Sequence, residues 1–256
     1  MPPLWKFILL CLLFAACTRP SIPPLSPGEA PFHREIIGRL KAREAAVRTL
    51  SGMARVVINN LKIRFVGTEV IHLEAPDRLH LEIHDPLGGL QMLLVAKKEK
   101  GALLFPAKSS VRVFSPQKKN LYHFLGVNLT VSELIRLLAG MPPLPLLTPE
   151  KIRSERDGSA IILSFLKKGR VCQRIRMNGS GDLLRWDRLD GGGTVEESLL
   201  FGDFREVKGM RLPFRIRLEV AGETLLSLRY QSILLNRPLD PGLFQVPPVL
   251  PGGGER

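Results

Sequence analysis

Alternation is the strongest constraint on this chain. In the run Arg78-Leu79-His80-Leu81-Glu82-Ile83-His84, Leu79, Leu81 and Ile83 alternate with polar residues. That is the two-residue period of a strand with one buried face. An apolar run, Leu90-Gln91-Met92-Leu93-Leu94-Val95-Ala96, follows after Asp85-Pro86-Leu87-Gly88-Gly89. Proline fixes φ and glycine permits positive φ, so these five residues predict a tight hairpin connection. A leucine at a hairpin tip faces water and forgoes about 1.5–3 kcal/mol of burial. Strand patterns recur at 53–58, 62–73, 102–105 and 111–114, and again at 160–166, 171–177, 183–188, 195–202, 214–220 and 224–234. Short turns separate them, among them Asn59-Asn60, Lys168-Gly169, Gly191-Gly192-Gly193 and Ala221-Gly222. Strands joined in this way make an antiparallel meander of about eleven strands rather than βαβ units. A twisted sheet of that size curls on itself.

Two helices interrupt the pattern. Ile36, Ile37, Leu40, Val47 and Leu50 stand at helical spacing within 32–50, which predicts an amphipathic helix ended by Ser51-Gly52. Thr130-Val131-Ser132-Glu133 has the Thr-x-x-Glu capping-box pattern, and Leu134, Ile135, Leu137 and Leu138 follow it. Gly140 suits the position after the helix, and Pro142 and Pro143 prevent its continuation. A short helix that is apolar on most of its surface belongs against the sheet. The curled sheet then has two readings: a core filled by its own side chains, or a concavity that holds something apolar beneath helices.

The N-terminus bears on the compartment. Lys6 precedes the uncharged run Phe7-Ile8-Leu9-Leu10-Cys11-Leu12-Leu13-Phe14-Ala15-Ala16. This run is too short for a membrane-spanning helix and fits a signal peptide ending before Cys17. Leu13-Phe14-Ala15-Ala16-Cys17 resembles a bacterial lipobox, which implies lipidation of Cys17, and Thr18 in place of Asp implies export to the outer membrane. Pro20, Pro23, Pro24, Pro27 and Pro31 make the following stretch an extended tether. The expected organisation is a signal peptide at 1–16, a tether at 17–31, a folded domain at 32–236 and a loose Pro/Gly-rich tail at 237–256. Of the three cysteines, Cys11 leaves with the signal and Cys17 is modified, so Cys172 is left without a disulfide partner.

A net charge of +13 raises nucleic acid as a partner. The cations are spread along strands with no nucleic-acid motif, so no nucleic acid is expected. Anionic lipid headgroups and a solvated basic surface both account for the charge. His80-x-Glu82-x-His84 puts three polar side chains on one strand face, where they could bind a metal. With no further His or Cys placed to complete a site, the polar face of an amphipathic strand is the expected reading, and no metal is assigned. Ser109-Ser110 lacks a nucleophile elbow, and Gly191-Gly192-Gly193 precedes a strand rather than a helix. No enzyme activity and no cofactor are expected.

The order of lipobox, proline-rich tether, helix and meander resembles the LolA/LolB-like family, and within it the LolB branch. So do the stretches Leu81-Glu82-Ile83-His84-Asp85-Pro86-Leu87-Gly88-Gly89 and Leu134-Ile135-Arg136-Leu137-Leu138-Ala139-Gly140-Met141-Pro142. The resemblance implies a mainly β fold, an incomplete antiparallel barrel with an apolar cavity and a helical lid. It implies a lipid-anchored outer-membrane protein on the periplasmic face. Such a protein accepts acylated lipoproteins from a LolA-like periplasmic carrier and inserts them into the outer membrane. Leu87 matches the leucine that touches outer-membrane lipid. On this reading Phe65, Leu79, Leu81, Ile83, Leu93, Val95 and Phe214 line the cavity, and Leu134, Ile135 and Leu138 lie on the lid. Two other functions stay open: a lipid or glycolipid carrier on the same scaffold, and a structural outer-membrane assembly lipoprotein.

Overall fold

The computed structural model describes residues 29–59, 64–116, 121, 129–142 and 151–246. The expected signal peptide, Cys17 and most of the tether lie outside them. Alternating residues become thirteen strands among the described residues. The first six are β1 (Thr49–Asn59), β2 (Arg64–Glu74), β3 (Arg78–His84), β4 (Leu90–Lys97), β5 (Lys100–Phe105) and β6 (Ser110–Phe114). After helix α2 (Val131–Leu138) come β7 (Lys151–Asp157), β8 (Ala160–Lys167), β9 (Arg170–Met177) and β10 (Leu183–Leu189), then β11 (Val195–Val207), β12 (Met210–Val220) and β13 (Glu223–Leu235). The strand beyond the expected pattern is β7, Lys-Ile-Arg-Ser-Glu-Arg-Asp, which pairs with β8 along its whole length. With Ile152 as its one apolar residue, it shows no alternation to read.

The strands form one antiparallel sheet in the order β6-β5-β4-β3-β2-β1-β13-β12-β11-β10-β9-β8-β7. Two meanders are thus joined where β1 pairs with β13. The sheet curls but does not close, because β6 and β7 stand at opposite edges. These two edge strands are consecutive in the chain, and α2 lies on the segment between them. The lid helix thus falls, in the chain, between the two free edges of the sheet.

The curled sheet turns its apolar face inward. Leu79, Leu81 and Ile83 on β3 stand opposite Ala96, Leu94 and Met92 on β4, and all six are buried. In the other half, Trp186 and Phe165 are fully buried, and the Trp186 indole donates to Gln173 Oε1 at 3.3 Å. Most of the concavity is therefore filled by the protein's own side chains.

Two expected boundaries change. Helix α1 spans Glu29–Ala46, and Leu50, Ser51 and Gly52 lie inside β1. Asn236 sets the exit: its Oδ1 accepts from the Arg48 N–H at 2.9 Å and its Nδ2 donates to the Ala46 carbonyl at 2.8 Å. Ile36 and Leu40 are buried under α1, while the buried Val47 and Leu50 belong to the turn and the strand. The C-terminal stretch is also not loose over its described part. A 3₁₀ turn at Pro241–Phe244 packs across β3 and β4, with Phe244 buried and Asp240 Oδ1 accepting from the Gly242 N–H at 2.8 Å.

Removing Phe244 tests this docking. Phe244→Ala should lower stability by about 3–5 kcal/mol in urea unfolding, the cost of emptying a well-packed aromatic site. A tail that merely rests on the surface would leave the midpoint unchanged.

Candidate functional site

The lid is a well-terminated helix. The Thr130 hydroxyl accepts from the Glu133 N–H at 3.2 Å, and the Glu133 carboxylate accepts from the Thr130 N–H at 2.8 Å, completing the capping box. At the other end Gly140 takes φ +75, the Met141 N–H reaches the Arg136 carbonyl at 2.8 Å and the Gly140 N–H reaches the Leu137 carbonyl at 2.9 Å. This is a Schellman motif. With both ends satisfied locally, the helix can present Val131, Leu134, Ile135, Leu137 and Leu138 as buried side chains. Polar ties also hold it. The Tyr230 hydroxyl on β13 donates to the Leu138 carbonyl at 2.8 Å, and Arg136 pairs with Glu44 of α1. Burial, then the charge that nearby Glu69 acquires once ionised at high pH, pushes the Tyr230 phenol well above its ordinary value.

Beneath α2 lies an apolar hollow of about 30 Å³, room for only one or two water molecules. The sheet contributes Ile58, Leu81, Ile83, Met92, Leu218 and Leu226, and the lid side contributes Leu129, Leu134 and Leu137. Of the residues expected to line a cavity, Leu81, Ile83 and Leu134 do so. Leu79, Phe214, Ile135 and Leu138 are buried in the surrounding core, and Phe65 packs against it partly buried. Phe214 meets Tyr230 edge-on at 6.2 Å.

Leu93 and Val95 stand on the opposite face, contrary to expectation. Leu93 is opposite Glu82 and Val95 opposite His80, both on the polar side of β3. A continuous apolar run conceals its parity, and a one-residue slip inverts every side chain. Val95 is apolar and buried on the outer side, where the C-terminal turn packs across β3 and β4.

Glu69 is the lining residue that pattern reading passed over. It is in phase with Ile71 and Leu73, both buried, so an acid at an inward position was legible in the strand's period. Glu69 is 3% exposed, its Oε2 has no hydrogen-bond partner, and burial pushes its pKa up to about 8.

Leu87 is 97% exposed on the β3–β4 hairpin. The Gly88 N–H bonds to the Asp85 carbonyl at 3.0 Å, the Asp85 N–H bonds to the Gly89 carbonyl at 2.9 Å, and Gly88 takes φ +88. Asp85 Oδ1 accepts from the N–H groups of Leu87 and Gly89 at 2.8 and 2.9 Å, which holds its carboxyl below the ordinary carboxylate range. The same bonding pattern closes the turns at 178–182 and 190–194. Where those turns carry Ser180 and Gly192, this one carries Leu87. The turn geometry therefore does not require a leucine, and the loop that projects it is locally rigid.

No family model matches this sequence, and no curated protein matches it. Solved structures do match its fold. A DUF1329 family protein from Desulfovibrio piger aligns with TM-score 0.59 at 15% identity, over 84% of this chain and 96% of the other. A candidate outer-membrane lipoprotein-sorting protein domain from Vibrio parahaemolyticus aligns with TM-score 0.52 at 15% identity, over 82% and 94%. A LolA-superfamily protein from Nitrosomonas europaea aligns with TM-score 0.51 at 13% identity, over 83% and 96%.

The chain has a LolA-superfamily-like open-barrel fold. On the convex side of this LolA-like sheet, a line of hydrogen bonds connects the C-terminal turn to the Leu87 loop. His80 Nδ1 lies at hydrogen-bonding distance from the Leu243 carbonyl and its Nε2 from Glu82 Oε1, each at 2.8 Å. His84 donates from Nε2 to Glu82 Oε2 at 2.8 Å and from Nδ1 to the Gly88 carbonyl at 3.2 Å. The three side chains of the His-x-Glu-x-His pattern thus pair with one another. Partial burial works to raise the Glu82 carboxyl, but its bonds to His80 and His84 outweigh this and hold it low. The Glu82 bond raises His84 above its ordinary 6.5, partial burial opposing and the Gly88 carbonyl adding to the rise.

Because His84 holds its proton more tightly folded than unfolded, its contribution to stability is full below the unfolded-state pKa. It fades as pH rises through the folded-state pKa. An NMR titration should place His84 above 6.5, and Glu82→Gln should bring it down. A His84 that titrates at the ordinary value in the native chain would contradict the pairing.

Proposed function

We propose that this protein is a lipid-anchored acceptor at the periplasmic face of the outer membrane. It takes acylated lipoproteins from a LolA-like carrier and releases them into the bilayer. Exposed Leu87 is the observation that carries this reading. It is a large apolar side chain on a hairpin whose geometry is met elsewhere by serine and glycine. In water it gains nothing there; in a membrane it gains about 1.5–3 kcal/mol. Asp85 does not oppose that contact with a free acid, since its carboxylate is spent on the loop's own N–H groups and on Gln91. Lipidation at Cys17 would bring the loop to the bilayer surface, and the basic surface suits anionic headgroups.

The filled interior is the lid-closed state in this reading. Leu134 and Leu137 occupy the space that cargo acyl chains would take when α2 swings aside. Lifting α2 gives up the burial of its leucines and polar ties such as those of Tyr230 and Arg136, so the incoming methylenes must take over that apolar contact on both the sheet and the displaced helix. Cargo chains stay out of water, which is worth about 0.8 kcal/mol per CH₂. Transfer then runs downhill wherever the next binder is tighter, with no nucleotide. The small size of the closed hollow favours a second reading, a structural assembly lipoprotein with a permanent core. Mass spectrometry of gently purified protein separates the two, since only the first predicts co-purifying acyl species.

Leu87→Glu tests the membrane contact. The exposed position predicts a stability change within about 0.5 kcal/mol and an unchanged circular dichroism spectrum. Delivery of a labelled lipoprotein from a LolA-like carrier to lipid vesicles should fall about tenfold or more. Delivery at the native rate would remove Leu87 from the mechanism.

A further inference from the structure

Apolar packing accounts for every lining residue of the hollow except Glu69. On β2 this glutamate stands between Ala54 of β1 and Ile83 of β3, facing the underside of α2. The lining around it is leucine, isoleucine and methionine. The nearby titratable group is Tyr230, whose hydroxyl is committed to the Leu138 carbonyl. Glu69 Oε2 therefore lies buried without a partner. Such a group is costly in the closed protein, because its bonds to water are lost and not replaced. A leucine in its place would complete the core. What an acid offers instead is a hydrogen-bond donor inside a greasy hollow: with apolar side chains around it and no cation among the lining residues, burial favours the neutral carboxyl. Its natural complement is an uncharged acceptor with an apolar tail.

We propose that Glu69 selects the carbonyl end of an acyl chain, its protonated carboxyl donating O–H to the ester or amide oxygen while Leu81, Ile83, Met92 and Leu218 hold the adjoining methylenes. The inference rests on the reading that α2 moves aside for acyl chains and adds to it a determinant for the head of the chain. A plain hydrocarbon satisfies the leucines but leaves Glu69 unpaired. An acyl ester or amide satisfies both.

The test uses the folded chain and three probes of similar length, presented from cyclodextrin: methyl palmitate, N-methyl palmitamide and heptadecane. Binding is read by displacement of an environment-sensitive naphthalene dye. The native protein should prefer the carbonyl probes over heptadecane by about tenfold, the worth of one neutral hydrogen bond in a dry site. Preference for methyl palmitate alone or for the palmitamide alone would assign the site to O-linked or N-linked chains respectively. Glu69→Leu should bind all three alike, whereas Glu69→Gln, which keeps an N–H donor, should retain a preference; melting curves confirm that each variant is folded. Equal binding of all three probes by the native protein would overturn the proposal, as would an undiminished preference in Glu69→Leu. Should the native protein bind none of the three, the acyl-binding reading itself falls and this inference falls with it.

Discussion

An open sheet with an apolar concave face cannot bury that face alone. Everything else in this structure follows from how the chain covers it. The edges β6 and β7 do not meet, and α2, which lies between them in the chain, covers part of the concave face. Leu134 and Leu137 of α2 face residues of β1–β4 and β12–β13 across the hollow, and Val131, Ile135 and Leu138 are buried beside them. Each fully buried leucine is worth about 1.5–3 kcal/mol, so the lid and the sheet stabilise one another. The helix needs no sheet bonds to satisfy most of its own ends, because the capping box and the Schellman motif do that locally. Its ends are thus satisfied largely by its own residues, and polar ties to the rest of the fold include Tyr230 to its last turn and Arg136 to α1.

The same sheet also fixes the geometry of the surface. A rigid hairpin projects Leu87, and the convex-side line from Leu243 through His80, Glu82 and His84 to Gly88 braces the base of that loop. The inner side of β3 thus contributes Leu81 and Ile83 to the hollow while its outer side supports the loop. Period-2 alternation lets a seven-residue strand serve both at once. In the proposed function, shelter and membrane contact are the two faces of one hairpin.

Much of this was legible in the sequence where residues carry a clean period. The β3–β4 hairpin, the capping box at Thr130 and the glycine stop at Gly140 follow from local chemistry that tertiary context did not override. Three things were not legible, each for a physical reason. β7 is nearly all polar, because an edge strand need bury little. The parity of β4 was hidden by a continuous apolar run, which arose because Val95 is covered by a distant C-terminal segment. The end of α1 depends on Asn236, nearly two hundred residues away, which no local pattern reveals. Glu69 was readable as an acid in the apolar phase of β2, but only to an eye looking for a polar residue among inward positions.

The most direct measurement is a structure of the protein with an acylated lipopeptide bound. The predicted result is α2 lifted from the sheet and acyl carbons lying against Leu81, Ile83 and Leu218, where Leu134 and Leu137 now pack. An unmoved α2, with the lipopeptide seated on another surface, would contradict a hollow that opens to acyl chains.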